Sequence, residues 1–311
     1  MRNLIFFKNN IINISSDFMI LDLLNYNDNS LNENVYKFRT NATNFKIHFK
    51  IENSVVGNYP HFGLSAREGI LLVYKFIDED YWFNVDAYAR RNDVAVNMAH
   101  ITDGKRMYDV IVYGPNLTSL TELSIEISDE FQSEIIDMNS SRRIMILGGL
   151  NSFGIGCTSS GVMFSNIIQR NFNAEVKKIV FNNRNYLENI YNYLKNESIP
   201  DVDVSILELD CYNQNDILVE KYLEDIISIL EEYSDNIICW LAIPSIKSNK
   251  KENALKIINN YDVIFNDLSF IFDENHSDMC TYSNNFINDS ANMFISIELT
   301  KNLRGVLNWN I

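Results

Sequence analysis

Cysteine is scarce and scattered. Cys157, Cys211, Cys239 and Cys280 stand far apart with no Cys-x-x-Cys pair, which removes the spacing that cysteine metal sites require. Cys211 and Cys239 fall in apolar, strand-like runs and read as buried thiols. The four histidines, His48, His61, His100 and His276, have no cysteines or carboxylates at metal-ligand spacing, so neither a metal nor a cofactor is expected. Glycine is sparse, 11 residues in 311, and forms no phosphate-cradling loop. No hydrophobic run is long: the longest, residues 237–244, is far below membrane-spanning length. Residues 1–8 have an apolar core too short for a signal peptide, so the expected location is the cytoplasm. Positive charge is the largest deficit, with 26 Lys and Arg against 41 Asp and Glu and a net charge of −15. Nucleic acid and anionic membranes both need clustered cations, so neither is expected as a partner, while a basic partner stays open.

What is present is an ordinary globular composition, 46% apolar and 22% charged, with no internal repeat. Ile, Asn and Lys are used where many proteins use Ala and Gly, a bias of AT-rich coding that carries no functional message. At 311 residues the chain exceeds the usual single-domain size, and two domains are expected, 1–135 and 136–311, joined by the polar stretch 132–141. In the first, residues 17–23, 35–40, 44–52, 69–78, 81–88, 93–99, 107–113 and 120–128 alternate apolar with polar side chains. Eight short strands at this spacing predict a β-sandwich of jelly-roll type. From about Met138 the rhythm changes to continuous apolar strands at 143–148, 176–181, 202–209, 236–243 and 262–271, separated by helix-like segments. The clearest helix is 216–233, with Val219, Tyr222, Leu223, Ile226, Ile227 and Leu230 along one stripe. This pattern predicts a parallel sheet covered on both faces, a three-layer α/β domain of flavodoxin-like type.

The run Ile144-Met145-Ile146-Leu147-Gly148-Gly149-Leu150-Asn151-Ser152-Phe153-Gly154 reads as a buried parallel strand feeding a helix. It resembles the first block of the SGNH/GDSL hydrolases, an apolar strand followed by Gly-Asp-Ser, two or three residues and Gly. Gly148 keeps the glycine, Gly149 replaces the aspartate, and Leu150, with no nucleophilic atom, replaces the serine. The order of a β-sandwich before an α/β domain resembles two-domain carbohydrate esterases of that superfamily, as does the strand, corner and strand of residues 110–123. The resemblance implies a serine nucleophile, a histidine base three residues after an aspartate, and an oxyanion hole built from backbone N–H groups and an asparagine.

The other blocks are degenerate too. The second strand is followed by Val180-Phe181-Asn182-Asn183-Arg184-Asn185 with no glycine, although Asn tolerates left-handed backbone angles. In Leu207-Glu208-Leu209-Asp210-Cys211-Tyr212-Asn213, Asp210 replaces a glycine and Tyr212 falls at the oxyanion asparagine, unless a one-residue slip returns Asn213 to that place. In Asp289-Ser290-Ala291-Asn292, Asn292 stands where the base belongs, and asparagine accepts no proton near neutral pH. Ser152 is the nearest hydroxyl and reads as a turn or N-cap residue, with a displaced nucleophile as the alternative. His276 reads as a loop histidine, with a substitute base as the alternative.

The resemblance therefore implies a catalytically inactive SGNH-type protein whose crevice lies at the carboxyl ends of the parallel strands, lined by Gly149, Leu150, Asn151, Asn183, Asp210, Tyr212 and Asn292. Such a chain is expected to bind an active SGNH paralogue or a second copy of itself, or a small acyl or carbohydrate ligand. An active esterase or acyltransferase with a non-standard constellation, and a carbohydrate- or acyl-peptide-binding module, remain alternatives. Asp80-Tyr81-Trp82 is a candidate contact surface.

Overall fold

In β-strands, alternating apolar and polar side chains put one row inward, and the amino-terminal part of the chain up to about residue 135 folds accordingly. The computed structural model describes residues 18–22, 34–51, 62–116, 118, 120–138, 140–181, 185–209, 217–243, 250–282, 286–307 and 309. The chain divides into two compact units, Met1–Asn139 with Ser159–Gly161, and Ser140–Thr158 with Val162–Ile311.

The first unit holds β1 (Phe18–Asp22), β2 (Val35–Thr40), β3 (Asn44–Ile51), helix α1 (Leu64–Glu68), β4 (Gly69–Phe76), β5 (Phe83–Ala89), β6 (Asp93–Asn97), β7 (Tyr108–Tyr113), β8 (Leu120–Ser128) and β9 (Ser133–Ile135). They form two antiparallel sheets, ordered β1-β8-β3-β6 and β5-β4-β7-β2-β9. One core joins the sheets face to face: Phe45, Ile47, Phe49 and Ile125 from the first meet Phe38, Ile70, Leu72 and Val110 from the second. β3 shows the pattern, with Phe45, Ile47 and Phe49 buried and Asn44, Lys46 and Lys50 exposed.

The second sheet carries a buried ion cluster. Asp109 of β7 is 4% exposed and accepts a hydrogen bond from Arg39 Nε at 2.7 Å and lies 3.0 Å from Lys37 Nζ, both on β2. Burial works to raise the Asp109 carboxyl, but the bond from Arg39 and the charge of Lys37 outweigh it and hold the group below the usual carboxylate range.

The candidate contact Asp80-Tyr81-Trp82 splits. The strand expected from residue 81 begins at Phe83, because Asp78 and Glu79 turn back to bond Arg106. Tyr81 is 73% exposed, while Trp82 is half-buried with the Lys37 and Lys75 ammonium groups 5.9 and 5.5 Å from its ring centre.

The second unit alternates strand and helix: β10 (Arg143–Gly148), α2 (Phe164–Phe172), β11 (Glu175–Val180), α3 (Tyr186–Asn196), β12 (Val204–Glu208), α4 (Ile217–Leu230), β13 (Ile237–Leu241), α5 (Lys250–Ile258), β14 (Val263–Asp267), α6 (Ser277–Cys280), β15 (Thr281–Tyr282), β16 (Phe286–Ile287) and α7 (Asp289–Leu307). Five strands form a parallel sheet in the order β11-β10-β12-β13-β14. The chain steps from β10 to β11 in one direction and then reverses across β10 to β12. With right-handed crossovers, α2 therefore lies on one face and α3, α4 and α5 on the other. The packing of α2 on α7, and of α3, α4 and α5 on one another, follows from this. The stripe expected on α4 is buried at every position from Val219 to Leu230. Where the expected last strand ran to residue 271, β14 stops at Asp267, whose carboxylate caps Ser269 N–H and starts a 3-10 turn over Ser269–Phe272. Among the described residues no helix is long and apolar enough to cross a membrane.

Candidate functional site

The reversal of strand order between β10 and β12 opens the sheet at their carboxyl ends, where ligands of open α/β sheets bind. Gly148 closes β10, Gly149 bends the chain, and residues 150–156 are turn. The expectation of a strand leading straight into a helix is thus corrected: α2 begins only at Phe164, because the glycines at 154 and 156 take φ values of +87° and +84° that a helix does not allow.

The turn is organised by Glu208, the last residue of β12. This side chain is 0% exposed, and its Oε2 accepts the N–H groups of Gly149 at 3.0 Å and Ser152 at 2.8 Å. Its Oε1 has no hydrogen-bond partner among the described residues. Burial pushes the Glu208 carboxyl above the ordinary carboxylate range, and the hydrogen bonds from the turn pull against that rise without cancelling it. Gly148 is the residue that leaves room: a Cβ there would stand 2.6 Å from Glu208 Oε2 and 2.2 Å from Ser152 Oγ. Tyr186 of α3 backs the site, its hydroxyl donating to the Glu208 carbonyl oxygen at 3.2 Å. Leu150 is half-buried; its carbonyl oxygen accepts from Ile155, while its N–H donates to nothing among the described residues. Asn151 and Ser152 are both 0% exposed.

A second cluster forms where α7 begins. Asn288 caps that helix, its Oδ1 accepting from Ser290 and Ala291 N–H. Asp289 gives one carboxylate oxygen to Thr158 N–H at 2.9 Å and the other to Thr158 Oγ1–H at 2.6 Å. Asn292 is 0% exposed; its Oδ1 accepts Phe164 N–H at 3.0 Å and its Nδ2 donates to Asn288 O at 3.0 Å. Met163, which precedes α2, has no side-chain oxygen, so Asn292 caps that helix from 128 residues away. Asn292→Ala should therefore cost about 1–2 kcal/mol, read as a lowered urea midpoint for the second unit. A midpoint unchanged from wild type would remove the capping role.

His276 shares no hydrogen bond with either cluster among the described residues. Its Nδ1 pairs with Asp273 Oδ1 at 2.8 Å, and its ring packs edge-on to Phe270 and Phe294. Asn183, Asp210, Tyr212 and Asn213 lie outside the described residues, as does Cys211. The structure thus gathers Gly149, Ser152 and Glu208 at one strand end, and Thr158, Phe164, Asp289 and Asn292 around the start of α7. Glu208 was missed as a site residue in the sequence, although a lone carboxylate inside the apolar run 204–209 was a readable signal.

Among the described residues no group of three or more His, Cys, Asp or Glu is arranged to hold a metal ion. A separate cleft of about 460 Å³ lies at the opposite, amino-terminal ends of the strands, lined by Arg143, Asp201, Asp203, Glu231, Glu232 and Asp235 among others.

The parallel five-stranded sheet with helices on both faces and an ordered turn after its first strand is an SGNH/GDSL hydrolase-like fold. Known structures share it. A GDSL-like lipase from Bacteroides ovatus is 14% identical, with a TM-score of 0.69 over 89% of this chain and 85% of its own. The salicylyl-acyltransferase SsfX3 of a tetracycline biosynthetic pathway is 12% identical, with a TM-score of 0.60 over 89% and 84%. The acetyl xylan esterase Est2A from Butyrivibrio proteoclasticus is 9% identical, with a TM-score of 0.57 over 94% and 100%. No family model matches the chain, and no curated protein matches its sequence.

Proposed function

We propose that the chain is a catalytically inactive SGNH/GDSL-type protein that acts as a binding or regulatory subunit, paired with an active SGNH homologue. The observation that carries this reading is Asn292. At the position of the catalytic base it is wholly buried and both ends of its amide are used to hold α2 and α7. Leu150 at the nucleophile position agrees with it, as does Asp289, whose two oxygens are taken by Thr158. Ser152, the nearest hydroxyl, is buried beside Glu208. The ligands of the active relatives, small acyl esters or carbohydrates, are the class the crevice would take. The location proposed is the cytoplasm, with neither nucleic acid nor membrane as a partner.

Residues 1–135 are read as a jelly roll preceding the 136–311 domain. The strand orders support this: β1-β8-β3-β6 and β5-β4-β7-β2 interleave early and late strands as two nested Greek keys do.

Purified full-length protein should hydrolyse p-nitrophenyl acetate no faster than a buffer blank. Leu150→Ser, Asn292→His and the double variant should stay at that level, because the groups of a triad act as a unit. Co-purification should bring down a homologue with an intact Gly-Asp-Ser motif. The second reading, an active esterase or acyltransferase, is favoured by the His276–Asp273 pair, an imidazole oriented by a carboxylate as a general base is. Wild-type turnover that disappears in His276→Ala or Ser152→Ala would establish that reading and remove the first.

A further inference from the structure

Among the described residues of the second unit, Glu208 is the one carboxyl group at 0% exposure, and its carboxyl group bonds to the turn after β10. Its neighbours are neutral. On β13 its register partner is Trp240, which stands edge-on to Phe164 of α2. On the turn they are Gly149 and Ser152, and from α3 the Tyr186 phenol, the only titratable group among them, donates to the backbone carbonyl oxygen of Glu208. No charged side chain among the described residues bonds to either carboxyl oxygen. The turn itself is bounded by Gly148, which has no space for a side chain, and by the left-handed glycines 154 and 156.

We propose that Glu208 is a proton-dependent clamp on residues 149–152, closed while its carboxyl group is neutral and loosened when that group ionises. In the neutral form Oε2 is a carbonyl oxygen receiving two backbone N–H groups, and the proton resides on Oε1, where no other donor competes for the lone pairs. In the ionised form a negative charge is enclosed with dipoles but no cation, and a buried unpaired charge is relieved only by water. Glu208 is 0% exposed while the turn is closed, so bulk water reaches the ionised carboxylate only when the turn opens. The opened turn returns the carboxyl to the ordinary glutamate range near pH 4.3, whereas in the closed turn burial holds it higher. By linkage, the ratio of open to closed turn rises up to tenfold per pH unit between those two values and is level above them. The clamp does not depend on whether the crevice turns over a substrate.

Amide hydrogen exchange on the full-length protein from pH 5 to 8, corrected for the intrinsic rate, tests this with peptides covering residues 148–156 and with β4 as the internal control. Wild type should lose turn protection as pH rises, by up to tenfold per unit, and then level off. Glu208→Gln, neutral throughout and still able to accept both N–H groups, should keep its protection flat with pH and match wild type at the acid end. Glu208→Ala should lose at least tenfold protection at every pH. Identical profiles for wild type and Glu208→Gln would overturn the proton dependence, and wild-type protection in Glu208→Ala would overturn the clamp. If the Ala variant does not fold, the comparison of Glu with Gln decides alone.

Discussion

Replacing Gly156 with alanine should lower the melting temperature of the second unit steeply. Gly156 has φ of +84°, and a Cβ built there falls 1.6 Å from the carbonyl oxygen of Ile287. The left-handed backbone alone costs an L-residue about 1–3 kcal/mol. The overlap is far worse, because the obstruction is backbone and cannot rotate away. Relieving it means moving β16 and Asn288, the cap of α7, whose first turns hold Asp289 on Thr158 and Asn292 on α2. A loss above about 4 kcal/mol is expected, within a total of about 5–15 kcal/mol for a folded domain. Gly305→Ala is the control: it lies in α7, and nothing stands within 4 Å of its added Cβ. That variant should gain about 0.5–1 kcal/mol through helix propensity. Thermal melts followed by circular dichroism separate the two, and a Gly156→Ala melting temperature within a few degrees of wild type would contradict the argument.

In the first unit the largest loss is expected from Asp109→Ala. It leaves Lys37, 8% exposed, without its carboxylate and strips Arg39 of its 2.7 Å acceptor. Breaking a buried pair from one side typically costs about 3–5 kcal/mol, most of it the uncompensated charge that remains. Lys37→Met combined with Asp109→Leu should therefore recover most of the stability lost by Asp109→Ala alone. The pH dependence has a definite sign. The folded-state pKa of Asp109 is depressed, so its contribution is present above the unfolded carboxylate pKa of about 3.9 and is lost as pH falls through the lower folded value. The gap in urea midpoint between wild type and Asp109→Ala should be constant at neutral pH and shrink below about pH 4. A gap that widened in acid would refute this account.

Most strands were legible because their periodicity is local. Phe45, Ile47 and Phe49 alternate with Lys46, His48 and Lys50, and the stripe from Val219 to Leu230 has helical spacing. The missed elements include α1, β9, β15 and β16, which are five, three, two and two residues long, below the length at which a period can be read. The site was less legible, because its bonds join distant parts of the chain. Nothing near Phe164 announces that its N–H will be received by Asn292, and nothing near Gly149 announces Glu208. Gly148 shows the limit: the motif marked it as a glycine, but the reason, the space taken by Glu208 and Ser152, exists only after β10 and β12 pair.

The two units differ in when each can begin to form. In the sheet β1-β8-β3-β6 no strand lies beside its neighbour in sequence, and in the other sheet of that unit only β4 and β5 do. β1 finds its partner in β8, so residues 18–22 wait for residues 124–128. On the ribosome the first unit therefore emerges as strand-forming segments of which only β4 and β5 can pair as neighbours in sequence, and its closure is delayed by loops that must be shut before the other contacts repay them. The second unit grows by adding one helix and one strand at a time to a sheet already begun. Synthesis from the amino terminus thus presents the slower-closing half first, and in that interval the net charge of −15 opposes association between copies of the chain.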